Sequence, residues 1–201
     1  MKLIAIVGTN STRSTNRLLL QFIQRHFKDK AEIELCEIAD LPAFNEPDDK
    51  TAPVAVQALA DKIEAADGVI ISTPEYDHSI PAVLKSAIEW LSYTSRPLID
   101  KPVMITGASL GALGSSRAQA HLRQILDAPE VKARIMPSAE FLLGHSMQAF
   151  DDHGQLKDAD KVAELEDCFN EFLLFVAITN QLVDAYSTAK ERAKKFSWEQ
   201  A

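Results

Sequence analysis

The sequence predicts an open, doubly wound α/β sheet of five parallel strands in the order 2-1-3-4-5, with a long C-terminal helix. Three observations predict it. Short apolar runs rich in β-branched residues recur at residues 3–7, 68–73 and 102–106, and a run without polar alternation marks a strand buried on both faces. Segments with helical apolar spacing separate these runs, which is the βαβ pattern of a parallel sheet with right-handed crossovers. The chain's 201 residues suit one such sheet, so residues 1–201 are expected to form a single domain.

Each element follows in order. The first strand, residues 3–7, ends at Gly8. Leu18, Phe22, Ile23 and Phe27 then recur as one face of a helix. Residues 32–38 make a weaker strand with Ile33, Leu35 and Ile38 inward, and the proline-rich, acidic residues 41–53 read as a surface loop. Val54, Ala58, Leu59 and Ile63 outline the second helix before the third strand, residues 68–73. The third helix carries Ile80, Val83, Leu84, Ala87, Ile88 and Leu91, entered through Pro81 in its first turn with Ser79 as the plain choice of cap. Residues 102–106 form the fourth strand, and Ala118, Leu122, Ile125 and Leu126 the fourth helix. The fifth strand is expected at residues 133–136, extending through 141–143. From about Asp160 to 190, Val162, Phe169, Val176 and Val183 recur every seven residues beside Leu165, Phe172, Thr179 and Tyr186. Leu173, Leu174, Phe175, Ile178 and Leu182 widen that stripe, which suits a helix covering one face of its own sheet, or one that also packs against a partner subunit. Residues 190–201, with Lys190, Arg192, Lys194, Lys195 and Trp198, read as a solvated tail. The order 2-1-3-4-5 is flavodoxin-like.

Composition narrows the function. A net charge of −8 opposes binding to nucleic-acid phosphates or anionic membranes. Two distant cysteines, Cys36 and Cys168, make neither a disulfide framework nor a redox pair. No apolar run is long enough to span a bilayer, and residues 3–7 are too short for a signal-peptide core. The expectation is a cytoplasmic protein without a metal site, because His26 and His121 lack metal-ligand spacing.

Ligands of such sheets bind at the carboxyl ends of the strands, near the reversal of strand order. Three loops there are unusual. Residues 8–16 crowd Thr9, Ser11, Thr12, Ser14 and Thr15 between a strand and a helix, with Arg13 and Arg17 adding positive charge. Hydroxyls and a helix N-terminus hold a phosphate without a metal, although a helix cap at Ser14 accounts for part of the pattern. The loop is neither a Walker nor a Gly-x-Gly-x-x-Gly sequence. Residues 73–81 place Tyr76 between the stiff Pro74 and Pro81, which suits packing beside a flat ring, or a plain strand-to-helix turn. Residues 107–114 carry three glycines, which let backbone approach a ligand. Residues 107–111 also match the Gly-x-Ser-x-Gly elbow of serine hydrolases, with His145 and His153 downstream. That reading leaves the first loop unused and lacks an upstream oxyanion segment.

Together the loops resemble the NADPH-dependent FMN reductase family, which includes flavin-dependent azo-, quinone- and chromate-reductases. Residues 74–90, Pro-Glu-Tyr-Asp-His-Ser-Ile-Pro-Ala-Val-Leu-Lys-Ser-Ala-Ile-Glu-Trp, carry the likeness best. Gly8 with Ser14-Thr15-Asn16, and Ser109-Leu110-Gly111 with Gly114, Arg117, Ala118, Gln119, Leu122 and Arg123, extend it over about residues 1–145. The resemblance implies FMN, with Ser11, Arg13, Ser14, Thr15 and Asn16 at the phosphate. It places Pro74, Glu75, Tyr76 and Asp77, with Ser109, Leu110, Gly111 and Gly114, along the isoalloxazine. Asp77 stands where the family has Asn, Ala82 where it has Gly, Ser11 where Arg is frequent and Thr9 where Ser is frequent. The implied activity passes a hydride from NADPH or NADH through FMN to a small-molecule acceptor: a quinone, an azo compound, a metal oxyanion or free flavin. The flavin carries the chemistry, so no protein acid or base is assigned. A homodimer or homotetramer is expected. Three rivals stand beside it: a flavodoxin-like electron carrier without turnover, a serine hydrolase using Ser109, and an interaction protein working through its long helix.

Overall fold

Six parallel strands form one sheet in the computed structural model, which describes residues 1–185, 191 and 193–195. The strands are β1 (Lys2–Val7), β2 (Glu32–Glu37), β3 (Gly68–Ser72), β4 (Pro102–Ala108), β5 (Arg134–Ile135) and β6 (Phe141–Leu143). The helices are α1 (Thr15–His26), α2 (Val54–Glu64), α3 (Ala82–Tyr93), α4 (Ser116–Leu126) and α5 (Ala159–Ala185). The order is β2-β1-β3-β4-β5, as expected, with β6 also paired to β4. Register places Leu3 beside both Ile33 and Gly68, and Val69 beside Val103.

Both faces of the sheet are covered, which is why its strands read as continuous apolar runs. Leu3, Ala5, Val7, Ile70 and Met104 pack under α1 and α5. Ile4, Ile6, Val69, Ile71, Val103 and Ile105 pack under α2, α3 and α4. Phe27 and Phe169 stack with ring centroids 3.9 Å apart and tie α1 to α5. Such a pair is worth about 0.5–1.5 kcal/mol beyond its buried area.

The fifth strand differs from expectation. It is split into β5, beside Pro102 and Val103, and β6, beside residues 106–108. Pro137 cannot donate to a ladder, and Ser138 has a φ of 61°. The Arg123 guanidinium fills the break, donating to Met136 O and Ala139 O at 2.9 Å each.

Two helix faces are also rotated from the sequence reading. In α1, Leu18 is exposed while Leu19, Leu20, Phe22 and Ile23 are buried. The buried polar residue Asn16 sets the phase, and apolar spacing alone does not show it. In α2, Val54 and Ala58 face solvent and Val56, Leu59, Ala60 and Ile63 face inward. Pro81 is the N-cap of α3, outside its first turn, and Ser79 does not cap it. Along α5, Leu165, Phe169, Phe172, Val176 and Thr179 are buried, and Leu174, Ile178 and Leu182 are exposed. Lys194 is not simply solvated: it pairs with Glu64 at 3.1 Å. Tyr186, Lys190, Arg192 and Trp198 lie outside the described residues. Among the described residues no helix is long and apolar enough to cross a membrane.

Candidate functional site

The three loops meet at the carboxyl end of β1, β3 and β4. The first follows β1 through Gly8, where a Cβ would stand 2.6 Å from Ser72 O, so only glycine fits. Thr9 is buried, and its hydroxyl accepts from Ser11 N at 3.2 Å and meets the Tyr76 hydroxyl at 3.3 Å. Ser14 caps α1, accepting from Arg17 N at 3.2 Å. The Arg17 guanidinium donates to Ser11 O at 2.9 Å and forks onto Glu37 at 2.6 and 2.9 Å. Arg17 therefore shapes the loop, whereas the exposed Arg13 side chain has no hydrogen bond or ion pair among the described residues.

Asn16 is 2% exposed and holds the loop to the sheet. Its Oδ1 accepts from Ser72 Oγ at 2.8 Å and Ala108 N at 2.9 Å, and its Nδ2 donates to Ala108 O at 2.9 Å. One side chain thus joins the start of α1 to the ends of β3 and β4. The first turn of α1 presents the N–H groups of Thr15 and Asn16 off the helix end, where its positive dipole also points.

The second loop reverses sharply. Tyr76 and Ser79 exchange both backbone hydrogen bonds at 2.9 Å, and Asp77 and His78 have φ of 48° and 63°. Positive φ at both central residues is the type I′ signature, favourable for Asn, Asp and Gly. Asp77 therefore sits at the tip and does not line the cleft. Glu75 receives Arg117 N on Oε2 and Arg117 Nη1 on Oε1, both at 3.0 Å. Ser115, the N-cap of α4, makes no side-chain cap bond, so Glu75 caps that helix from another loop. Burial pushes the Glu75 carboxyl up, but the hydrogen bonds from Arg117 and from the Ala118 N–H outweigh it and hold it below the usual range.

The third loop is stitched to the segment after β6. Ser109 N donates to Leu143 O, His145 N to Gly111 O and Ser146 N to Ser109 O, each at 3.0 Å. Gly114, with φ +57°, sits where a Cβ would lie 2.6 Å from Leu142 C, so it packs against β6 and does not reach the cleft. Gly111 differs: a Cβ there would meet nothing within 4 Å. Its missing side chain leaves room in the cleft. The Ser109 hydroxyl donates to Gly111 O at 3.2 Å and meets no histidine among the described residues, so the base a serine nucleophile needs is missing.

The cleft these loops enclose is about 570 Å³, a usual size for a cofactor site. All the residues expected there line it except Asp77 and Gly114. Ala108, Ala112, Leu113 and Arg117 line it as well. Leu113 and Ala112 carried no polar signal in the sequence; Arg117 did, but only as part of the resemblance. The residues fit FMN. Hydroxyls, the α1 N-terminus and the Arg13 charge suit a phosphate at one end, and a slot between Pro74–Tyr76 and Ser109–Gly111 suits a flat ring at the other.

A profile of NADPH-dependent FMN reductases matches residues 1–148. The NADH:(hydroxy)cinnamate reductase subunit CrdA of Vibrio ruber is 62% identical over 199 residues, 99% of this chain and 98% of that protein. The NADH-dependent flavin reductase subunit 2 of Lactobacillus johnsonii is 46% identical over 184 residues, 88% and 97% of the two chains. Among solved structures, FerB, a flavoenzyme NAD(P)H:(acceptor) oxidoreductase from Paracoccus denitrificans, superposes with a TM-score of 0.73 at 30% identity, covering 90% of this chain and 97% of that one.

Proposed function

Since the chain belongs to the NADPH-dependent FMN reductase family, with FMN as cofactor and NAD(P)H as reductant, we propose that its cleft passes a hydride from NAD(P)H to a small-molecule acceptor such as a quinone, azo compound, metal oxyanion or free flavin. Bound FMN supplies the hydride acceptance and return. The protein's part is to hold and to expose. Arg13, the hydroxyls of Ser11, Ser14 and Thr15, and the N–H groups opening α1 would neutralise and orient the phosphate. Pro74, Glu75 and Tyr76 from the second loop and Ser109, Leu110 and Gly111 from the third would hold the ring, within reach of nucleotide and acceptor entering the cleft. For a quinone the balance is NAD(P)H plus a proton plus quinone giving NAD(P)⁺ and hydroquinone. The observation that carries this reading is the convergence of all three loops on one cleft, where the Arg13 side chain makes no hydrogen bond or ion pair among the described residues.

The test is a visible spectrum of the desalted, FMN-loaded protein, followed by NADH or NADPH and then a quinone under argon. The expected result is a flavin band that the nucleotide bleaches and the quinone restores. A protein that stays colourless after FMN loading, or whose flavin NAD(P)H leaves oxidised, overturns the assignment. Labelling of Ser109 by a fluorophosphonate would favour the hydrolase instead.

A second reading concerns the acceptor. The Vibrio ruber and Lactobacillus johnsonii relatives are named as subunits, and Leu110 and Leu113 are exposed on the cleft lining. In this reading the electrons pass to a partner polypeptide, and the isolated chain reduces its flavin with NADH yet turns over free quinone slowly. We also propose a cytoplasmic homodimer or homotetramer, supported by the outward Leu174, Ile178 and Leu182 of α5.

A further inference from the structure

Behind the third loop lies a second cavity, of about 730 Å³, larger than the flavin cleft. Its floor is apolar: Leu113, Leu142, Leu143, Ala149 and Leu156. It shares only Ala112 and Leu113 with the cleft, so one stretch of loop separates the two spaces. That wall is fixed by the backbone bonds joining residues 109–111 to 143–146. Gly144 lets it close in, because a Cβ there would stand 2.5 Å from Ala112 O.

The ionisable groups on the lining are Lys157, Lys161, His145 and Asp158. Asp158 is spent on its own helix: its Oδ1 accepts from Asp160 N at 2.9 Å and Lys161 N at 3.4 Å. Lys161 pairs with Glu164 at 2.6 Å and stands 5.7 Å from the Phe141 ring centroid. Asp158 and the Glu164 partner of Lys161 balance two positive charges there, and Lys157 is the ammonium over the apolar floor that makes no hydrogen bond among the described residues. An apolar floor beside the Lys157 ammonium, with Lys161 in the first turn of α5, is complementary to a molecule with a hydrophobic body and one anionic end.

We propose that this cavity is a binding site for an apolar monocarboxylate, separate from the flavin cleft, with the carboxylate at Lys157 and Lys161 and the hydrocarbon body over Leu142, Leu143 and Leu156. The probe is 4-phenylbutyrate, titrated calorimetrically into the full chain with and without saturating FMN. The expected result is one saturable site in both titrations. Its affinity falls about tenfold in Lys157→Gln/Lys161→Gln and about tenfold for the neutral 4-phenylbutanol, as the loss of a charge-assisted bond predicts. Lack of saturable binding overturns the proposal. So does loss of binding when FMN is added, which would place the acid in the cleft. Equal affinity for the alcohol, or an unchanged double variant, overturns it too. The titration without FMN is independent of whether the cleft holds flavin, so the two assignments fail separately.

Discussion

The two ends of the cleft are built in opposite ways. At the end formed by the first loop the side chains are committed to the protein: Asn16 to Ser72 and Ala108, Arg17 to Glu37 and Ser11, Ser14 to the start of α1. At the end formed by the second and third loops, Tyr76, Leu110 and Leu113 stand 48–69% exposed, with few polar commitments. The difference teaches that polarity in a loop does not mark ligand contact. Most of the polar groups in the first loop make the cradle, and a few remain to fill it.

Substitutions can break that comparison. The largest effect is expected from Asn16→Ala, which strands two donors and an acceptor in a buried site. Stability should fall by about 3 kcal/mol, read as a lower urea midpoint. A midpoint within error of the parent would show that the loop is held elsewhere. Arg13→Ala should do the opposite: urea stability unchanged, and FMN affinity lower by about tenfold to a hundredfold, the worth of a charge-assisted bond to phosphate. Equal FMN retention would move the phosphate away from Arg13. The smallest effect belongs to Glu75→Gln. The folded-state value of Glu75 is lowered, so its contribution is present above the ordinary glutamate range and is lost as pH falls towards the lowered value. The variant should be less stable than the parent near neutrality, where the Glu75 carboxylate is charged, and converge with it as pH falls, so that its acid limb is flatter. An identical acid limb would remove Glu75 from the capping of α4.

Much of this was legible in the sequence, and the exceptions have physical causes. The central strands read directly because burial on both faces imposes unbroken apolar runs. The cleft residues read because three loops after three such strands have one place to meet. The phase of α1 did not read, since a buried amide looks polar in a sequence and only its three tertiary bonds show it facing inward. The capping of α4 by Glu75 did not read, because the bare N-terminus it serves lies 42 residues away. Asp77 was placed by a turn whose φ values, not its side chain, decide its location. The break between β5 and β6 depends on Arg123 from a different element, which local patterning does not register.

That break has a further consequence. The outer margin of the sheet beyond β4 offers only two stubs, of two and three residues, with a proline between them and a guanidinium occupying the carbonyls in the gap. The opposite margin, β2, carries Glu32, Glu34 and Glu37, two of them tied to Lys62 and Arg17. Neither border is a template for another chain's backbone, so strand addition and fibre growth are discouraged at both. Contacts between copies are thereby steered to helices and loops.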